Sequence, residues 1–157
     1  MDFSKFDKSI DKEGLKHDIE EVAENGGNFK EVPIGKYEVK VDKMELVQTG
    51  PKATNPGVPM VSIWFKILSG EYKNSLIFYN KVIYGTSNDA FMIHQVEELL
   101  RSLDSGLDVD FDSYSQFAQL LLDINEAIDG KLEYALAYGE NNKGFKTYDI
   151  EEIFEVE

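Results

Sequence analysis

Trp64 is the only tryptophan in a chain of 157 residues, and it stands in the run Val61-Ser62-Ile63-Trp64-Phe65-Lys66-Ile67. Alternation puts Val61, Ile63, Phe65 and Ile67 on one side of a strand and Ser62, Trp64 and Lys66 on the other. A tryptophan on the polar side of a strand is either covered by another element or free to stack on a flat ring. Lys66 beside it supplies a cation for an anion held next to that ring. Similar pairings recur: Tyr79 with Lys81, Tyr72 with Lys73, and Phe145 with Lys143 and Lys146, while Lys36 opens the same block. Stacking and charge neutralisation are the chemistry these residue types offer.

Bond-making chemistry finds little support. The chain has no cysteine, which excludes disulfides, thiolate metal sites and a cysteine nucleophile. Its two histidines, His17 and His94, have no histidine or cysteine nearby in sequence, so neither a zinc site nor an acyl-transfer triad is supported. Gly26-Gly27 and Gly35 fit no nucleotide-binding loop. Asp108, Asp110 and Asp112 match the first three ligand positions of a calcium loop. Ser113 then replaces the turn glycine and Gln119 the bidentate glutamate. The expectation is a protein without catalytic residues, metal or cofactor.

The elements that must position the aromatic and basic residues follow from periodicity. Residues 1–32 predict a peripheral arm with a helix over 11–23, where Leu15, Ile19 and Val22 form a narrow stripe. A strand starts after Pro33-Ile34-Gly35. Tyr37, Val39 and Val41 alternate with polar residues, and the apolar phase then slips to Met44 and Leu46, which predicts a bulge or a sharp bend. Residues 48–59 hold three of the four prolines and form a loop. Two more strands follow over 60–68 and 76–84, joined by a turn. On the third, burial is expected for Phe78 and exposure for Tyr79. Two helices come next. The first is capped among Ser87, Asn88 and Asp89, with Phe91, Val96, Leu99, Leu100 and Leu103 inward. The second runs to Ile128 with Phe117, Leu120, Leu121, Ile124 and Ile128 inward. A hairpin over 131–150 closes the domain.

Three strands, two helices and a two-strand hairpin predict a mainly β domain over 33–150. The element order is that of an OB-fold, a five-stranded, partly open barrel with its helical insertion between strands three and four. An α+β sandwich is the alternative.

Charge is segregated along this order. Residues 36–84 carry seven lysines (36, 40, 43, 52, 66, 73 and 81) against Glu38, Asp42, Glu45 and Glu71. Residues 85–130 carry Arg101 alone against ten acids, within a net charge of −14. Residues 151–157 predict an acidic tail in which Glu151, Glu152, Phe154, Glu155 and Glu157 recruit a partner; a continued strand is the other reading. The overall acidity argues against nucleic acid, because phosphate contacts need lysine and arginine. Placement of the lysines on the aromatic-bearing strands weakens that objection. The opening residues have no signal-peptide pattern and no apolar run is long enough to span a bilayer, so a cytoplasmic protein is expected.

Several segments resemble one known family. They are Met1-Asp2-Phe3-Ser4, Val32-Pro33-Ile34-Gly35-Lys36-Tyr37-Glu38-Val39 leading to Met44-Glu45-Leu46, Pro59-Met60, and Phe65-Lys66-Ile67-Leu68-Ser69-Gly70-Glu71-Tyr72-Lys73-Asn74. The pattern resembles a family of small phage and prophage proteins, many labelled as of unknown function and commonly regarded as single-stranded-DNA-binding proteins of phage recombination or replication. The resemblance implies an OB-like fold and DNA binding in a bacterial host cell. It brings no catalytic motif.

The expected interface is therefore Lys36, Trp64, Lys66, Tyr72, Lys73, Tyr79, Lys81, Lys143, Phe145 and Lys146, with single-stranded DNA as ligand. Phage replication or recombination proteins are expected to engage the C-terminus, and a homo-oligomer is compatible with the chain. A reading from a different class is an acidic protein-interaction module, or a DNA mimic that inhibits a DNA-binding enzyme.

Overall fold

The structure is a computed structural model that describes residues 31–156; the arm and helix expected over 1–32 lie, apart from residues 31 and 32, outside the described residues. Five strands form one antiparallel sheet: β1 (Gly35–Gln48), β2 (Pro59–Ile67), β3 (Leu76–Val82), β4 (Leu132–Glu140) and β5 (Lys146–Glu155). Their order across the sheet is β3-β2-β1-β4-β5. Two helices, α1 (Asp89–Ser102) and α2 (Tyr114–Ile128), follow β3 in the chain. Among the described residues no helix is long and apolar enough to cross a membrane.

β1 is the shared central strand. Residues 35–39 pair with β4 and residues 39–48 with β2, so Val39 has a partner on both sides, Tyr134 and Ile67. The predicted bulge falls between Val41 and Lys43, leaving Asp42 as the extra residue. A bulge resets which side chains face inward. Val39, Val41 and Met44 are consequently all buried despite the odd spacing, together with Val61, Ile63, Phe65 and Ile67 of β2.

The helices close this inner side. Asn88 caps α1 by accepting from the Phe91 amide at 3.1 Å, and Ser113 caps α2 by accepting from the Gln116 amide at 3.1 Å. Val96, Leu99, Leu100 and Leu103 come inward from α1 and its C-cap, and Phe117, Leu121, Ile124 and Ile128 from α2. Phe91, expected among them, is instead 51% exposed. The inward stripe of α1 runs on through Met92 and Ile93, one helical turn before Val96, and Phe91 falls to its side. Tyr114 of α2 donates to the Ile83 carbonyl at 3.0 Å and fastens the helix start to the end of β3.

One expectation is corrected, and another is met only in part. The acidic tail is a strand through Glu155: Glu152 pairs with Ala135, Ile153 with Tyr134 and Phe154 with Glu133. A second register shift, at Glu151, breaks the alternation that would mark the strand in sequence. The sheet is also not closed into a barrel, because among the described residues no ladder joins β3 to β5. The two edges meet through side chains: the Tyr148 hydroxyl donates to the Phe78 carbonyl at 2.7 Å, and the Tyr79 and Tyr148 rings meet edge to face at 4.9 Å. Tyrosines between the edges hold the backbones farther apart than the roughly 4.8 Å of a paired ladder.

Tyr134 is fully buried and donates to the Leu103 carbonyl at 2.8 Å, where α1 ends. Tyr134→Phe strands that buried carbonyl and is expected to cost about 1–3 kcal/mol, read as a lower urea midpoint. Burial also holds the phenols of Tyr79 and Tyr134 well above the ordinary tyrosine range. Burial, with repulsion from Tyr138 added, pushes Tyr148 up to about 12. Unfolded tyrosines ionise near about 10, so the folded chain binds more protons than the unfolded one between about 10 and 12. Stability is thus complete below pH ~10 and falls as pH rises from there towards 12. Urea midpoints measured across that interval should fall, and fall less in Tyr148→Phe.

Candidate nucleic-acid interface

The bulge in β1 also decides what the outer side of the sheet carries. With Asp42 left out of register, Lys43 stands opposite Trp64, and its ammonium lies 4.6 Å from the centre of the Trp64 ring. Trp64 is opposite Phe78 on its other side, and the two rings meet edge to face at 5.5 Å. Trp64 is half-buried, and Phe78 is 44% exposed. Next to this aromatic pair, Lys40 stands opposite Lys66 in the β1–β2 ladder. Among the described residues neither lysine enters an ion pair. Like charges directly opposite one another destabilise a sheet. The result is a strip across β1, β2 and β3 that runs from paired lysines to paired aromatic rings.

Acids border the strip. Glu45 holds Lys43 at 2.9 Å, and Glu151 of β5 holds Lys36 at 3.0 Å. Both carboxylates partly neutralise lysines beside the strip.

A second concave feature lies where the sheet is open. β3, α1 and the β4–β5 hairpin enclose a groove of about 1270 Å³, lined among others by Lys81, Phe91, Gln95, Lys143, Phe145 and Tyr148. Lys81 is half-buried, donates to Gln95 Oε1 at 2.9 Å, and has its pKa lowered by desolvation. The hairpin tip is fixed by Asn141, whose Oδ1 accepts from the amides of Lys143 at 2.9 Å and Phe145 at 3.0 Å. That turn leaves Phe145 66% exposed.

The expected site residues are therefore divided. Trp64 and Lys66 share the strip, and Lys81, Lys143, Phe145 and Lys146 line the groove, although Lys146 is engaged by Glu140 at 3.6 Å. Lys73 is exposed at the β2–β3 turn, whereas Tyr72 packs against Tyr37 at 6.2 Å and the edge of the core. Tyr79 is 6% exposed and Phe78 is not buried, the reverse of the expectation. Tyr79 pairs with Ile63 and shares its side with Ile77, which is buried. The isoleucines flanking Tyr79 are the sequence signal for that placement. Of the C-terminal residues, Glu151, Glu152, Phe154 and Glu155 belong to β5 and Glu157 lies outside the described residues. Sequence reasoning missed Lys40, Lys43 and Phe78 for the strip and Phe91 for the groove. Lys43 was signalled by the phase slip that places the bulge.

Chemically the two surfaces offer aromatic rings and lysine ammonium groups. Among the described residues no three histidine, aspartate or glutamate side chains are grouped to hold a metal ion. No curated protein and no solved structure matches the chain. One family pattern, described as "Protein of unknown function (DUF669)", matches residues 17–148. With a match over that much of its length, the chain belongs to the DUF669 family.

Proposed function

We propose that this protein binds single-stranded DNA without reading its sequence, on the outer side of β1, β2 and β3. The observation that carries the reading is the unneutralised Lys40–Lys66 pair beside the rings of Trp64 and Phe78. Two lysines set opposite each other cost the fold stability, and the Phe78 ring beside Trp64 leaves aromatic surface open on the same strip. A strand with stacked bases and a phosphate every few ångströms uses both. Lys43 fixes the Trp64 ring and contributes a third cation once a phosphate displaces Glu45.

The architecture supports the same reading. Joining β5 to β3 would complete the strand order β3-β2-β1-β4-β5 into the five-stranded ring of an OB-fold, which supports reading the domain as an OB-like barrel opened along one seam. Coating exposed strands during phage replication or recombination is the role that fits. Glu151 acts from within β5 on Lys36, so a phosphate reaching that lysine competes with this carboxylate. A second reading, an acidic module that engages a protein or mimics DNA, is favoured by the ten acids among residues 85–130. It predicts no strand binding at low salt.

Titration of the single tryptophan with oligo(dT) separates the two. Quenching is expected, with log K falling against log[salt] by about 0.7 for each lysine engaged. Trp64→Ala should weaken binding by about 5- to 150-fold, the range for one stacked base. Lys66→Gln should lower both affinity and salt slope while raising the unfolding free energy by about 0.2–1 kcal/mol, read as a higher urea midpoint, because it relieves Lys40. No binding at low salt, or a preference for duplex, overturns the reading.

A further inference from the structure

The seam between β3 and β5 has no structural use in a single-strand binder that works only through its outer side. Both strands are sheet edges, and both present unpaired backbone N–H and C=O groups to the groove between them. The Tyr148 hydroxyl bridges this gap to the Phe78 carbonyl, so the length of a tyrosine side chain separates the two edges.

Two phenyl rings stand exposed on the walls of that groove, from two different elements. Phe91, 51% exposed, comes from the first turn of α1, where Asn88 holds its amide. Phe145, 66% exposed, comes from the hairpin tip held by Asn141. Neither ring belongs to the core, yet both are held by capping hydrogen bonds at defined points. Three lysines accompany them, of which Lys146 is engaged by Glu140. Lys81 spends one of its three donors on Gln95, and among the described residues neither Lys81 nor Lys143 enters an ion pair. Two carboxylates also line the groove, Glu98, which is engaged by His94 at 2.9 Å, and Asp149. The groove and the outer strip meet on β3: Asn80 follows Phe78 on the outer side, opposite Ser62, and also lines the groove.

We propose that the open β3–β5 seam is a second segment of the DNA path, entered over Asn80, in which Phe91 and Phe145 each stack a base and Lys81 and Lys143 hold the phosphates between them. This rests on the reading that the outer strip binds single-stranded DNA. α1, an element the strip does not involve, thereby becomes part of the interface. Two exposed rings and two lysines outside any ion pair on the walls of one groove, which meets the strip at Asn80, favour a nucleic-acid strand here over a peptide adding to the free edges.

The test is affinity against oligonucleotide length for the full chain and for Phe91→Ala, Phe145→Ala and the double variant. Both rings are exposed, so the variants should keep the urea midpoint of the parent. Oligo(dT) of about six nucleotides fits the strip, whereas about twenty nucleotides reach through the seam. The double variant should bind the longer strand at least about five-fold more weakly per ring lost and the shorter strand unchanged. Unchanged affinity for both lengths, while Trp64→Ala weakens both, overturns the seam proposal and leaves the strip reading intact; it leaves the free edges to a peptide. Equal losses at both lengths overturn it too, because the seam then is not a separate segment. If the parent binds neither length, the strip reading falls and this proposal falls with it.

Discussion

The bulge at Asp42 is the constraint on which the rest of the structure depends. β1 has to serve two partners, β4 through residues 35–39 and β2 through residues 39–48. A strand kept in strict alternation would turn Met44 outward and Lys43 inward. One extra residue lets Val39, Val41 and Met44 all enter the core. The same residue brings Lys43 to the outer side and over the Trp64 ring. The core and the Lys43–Trp64 arrangement are therefore two consequences of a single irregularity in the backbone.

From that strand the rest follows in both directions. Inward, β2 answers β1 with Val61, Ile63, Phe65 and Ile67, and the helices cover them with leucine, isoleucine and phenylalanine. Outward, the ladder sets Lys40 against Lys66 and Trp64 against Phe78. The fold gives up some stability to hold two cations together and to leave aromatic surface in water. Such losses are tolerated where a ligand repays them. The edges are handled differently again: β3 and β5 are joined by one hydrogen bond and a pair of tyrosine rings in place of a ladder, and a groove remains between them.

Much of this was legible in the residues. Alternation placed β1 and β2 and the faces of their side chains, the slip from Val41 to Met44 marked the irregularity that is the bulge, and the capping choices Ser87, Asn88 and Asp89 located the start of the first helix. Trp64 and Lys66 fell on the outer side as their spacing required. β3 was harder, since Phe78 and Tyr79 are both large and aromatic and only register decides between them; the flanking isoleucines carried that information. Phe91 misled because helical spacing has more than one apolar choice near an N-terminus. β5 beyond Ile150 was hidden by its own bulge at Glu151 and by a run of acids that suits solvent as well as an edge strand. Closure of the sheet depends on two edges distant in sequence, Phe78 and Tyr148, which no local pattern connects.

The central claim is that the outer side of β1–β3 holds single-stranded DNA through the strip from Lys40 to Phe78. Mapping amide and indole N–H chemical shifts of the full chain during titration with oligo(dT) tests it most directly. The account predicts that the largest changes fall on Lys40, Lys43, Trp64, Lys66 and Phe78 and their ladder neighbours, including the Trp64 indole. Shifts confined to the acidic helices, or none at low salt, would contradict it.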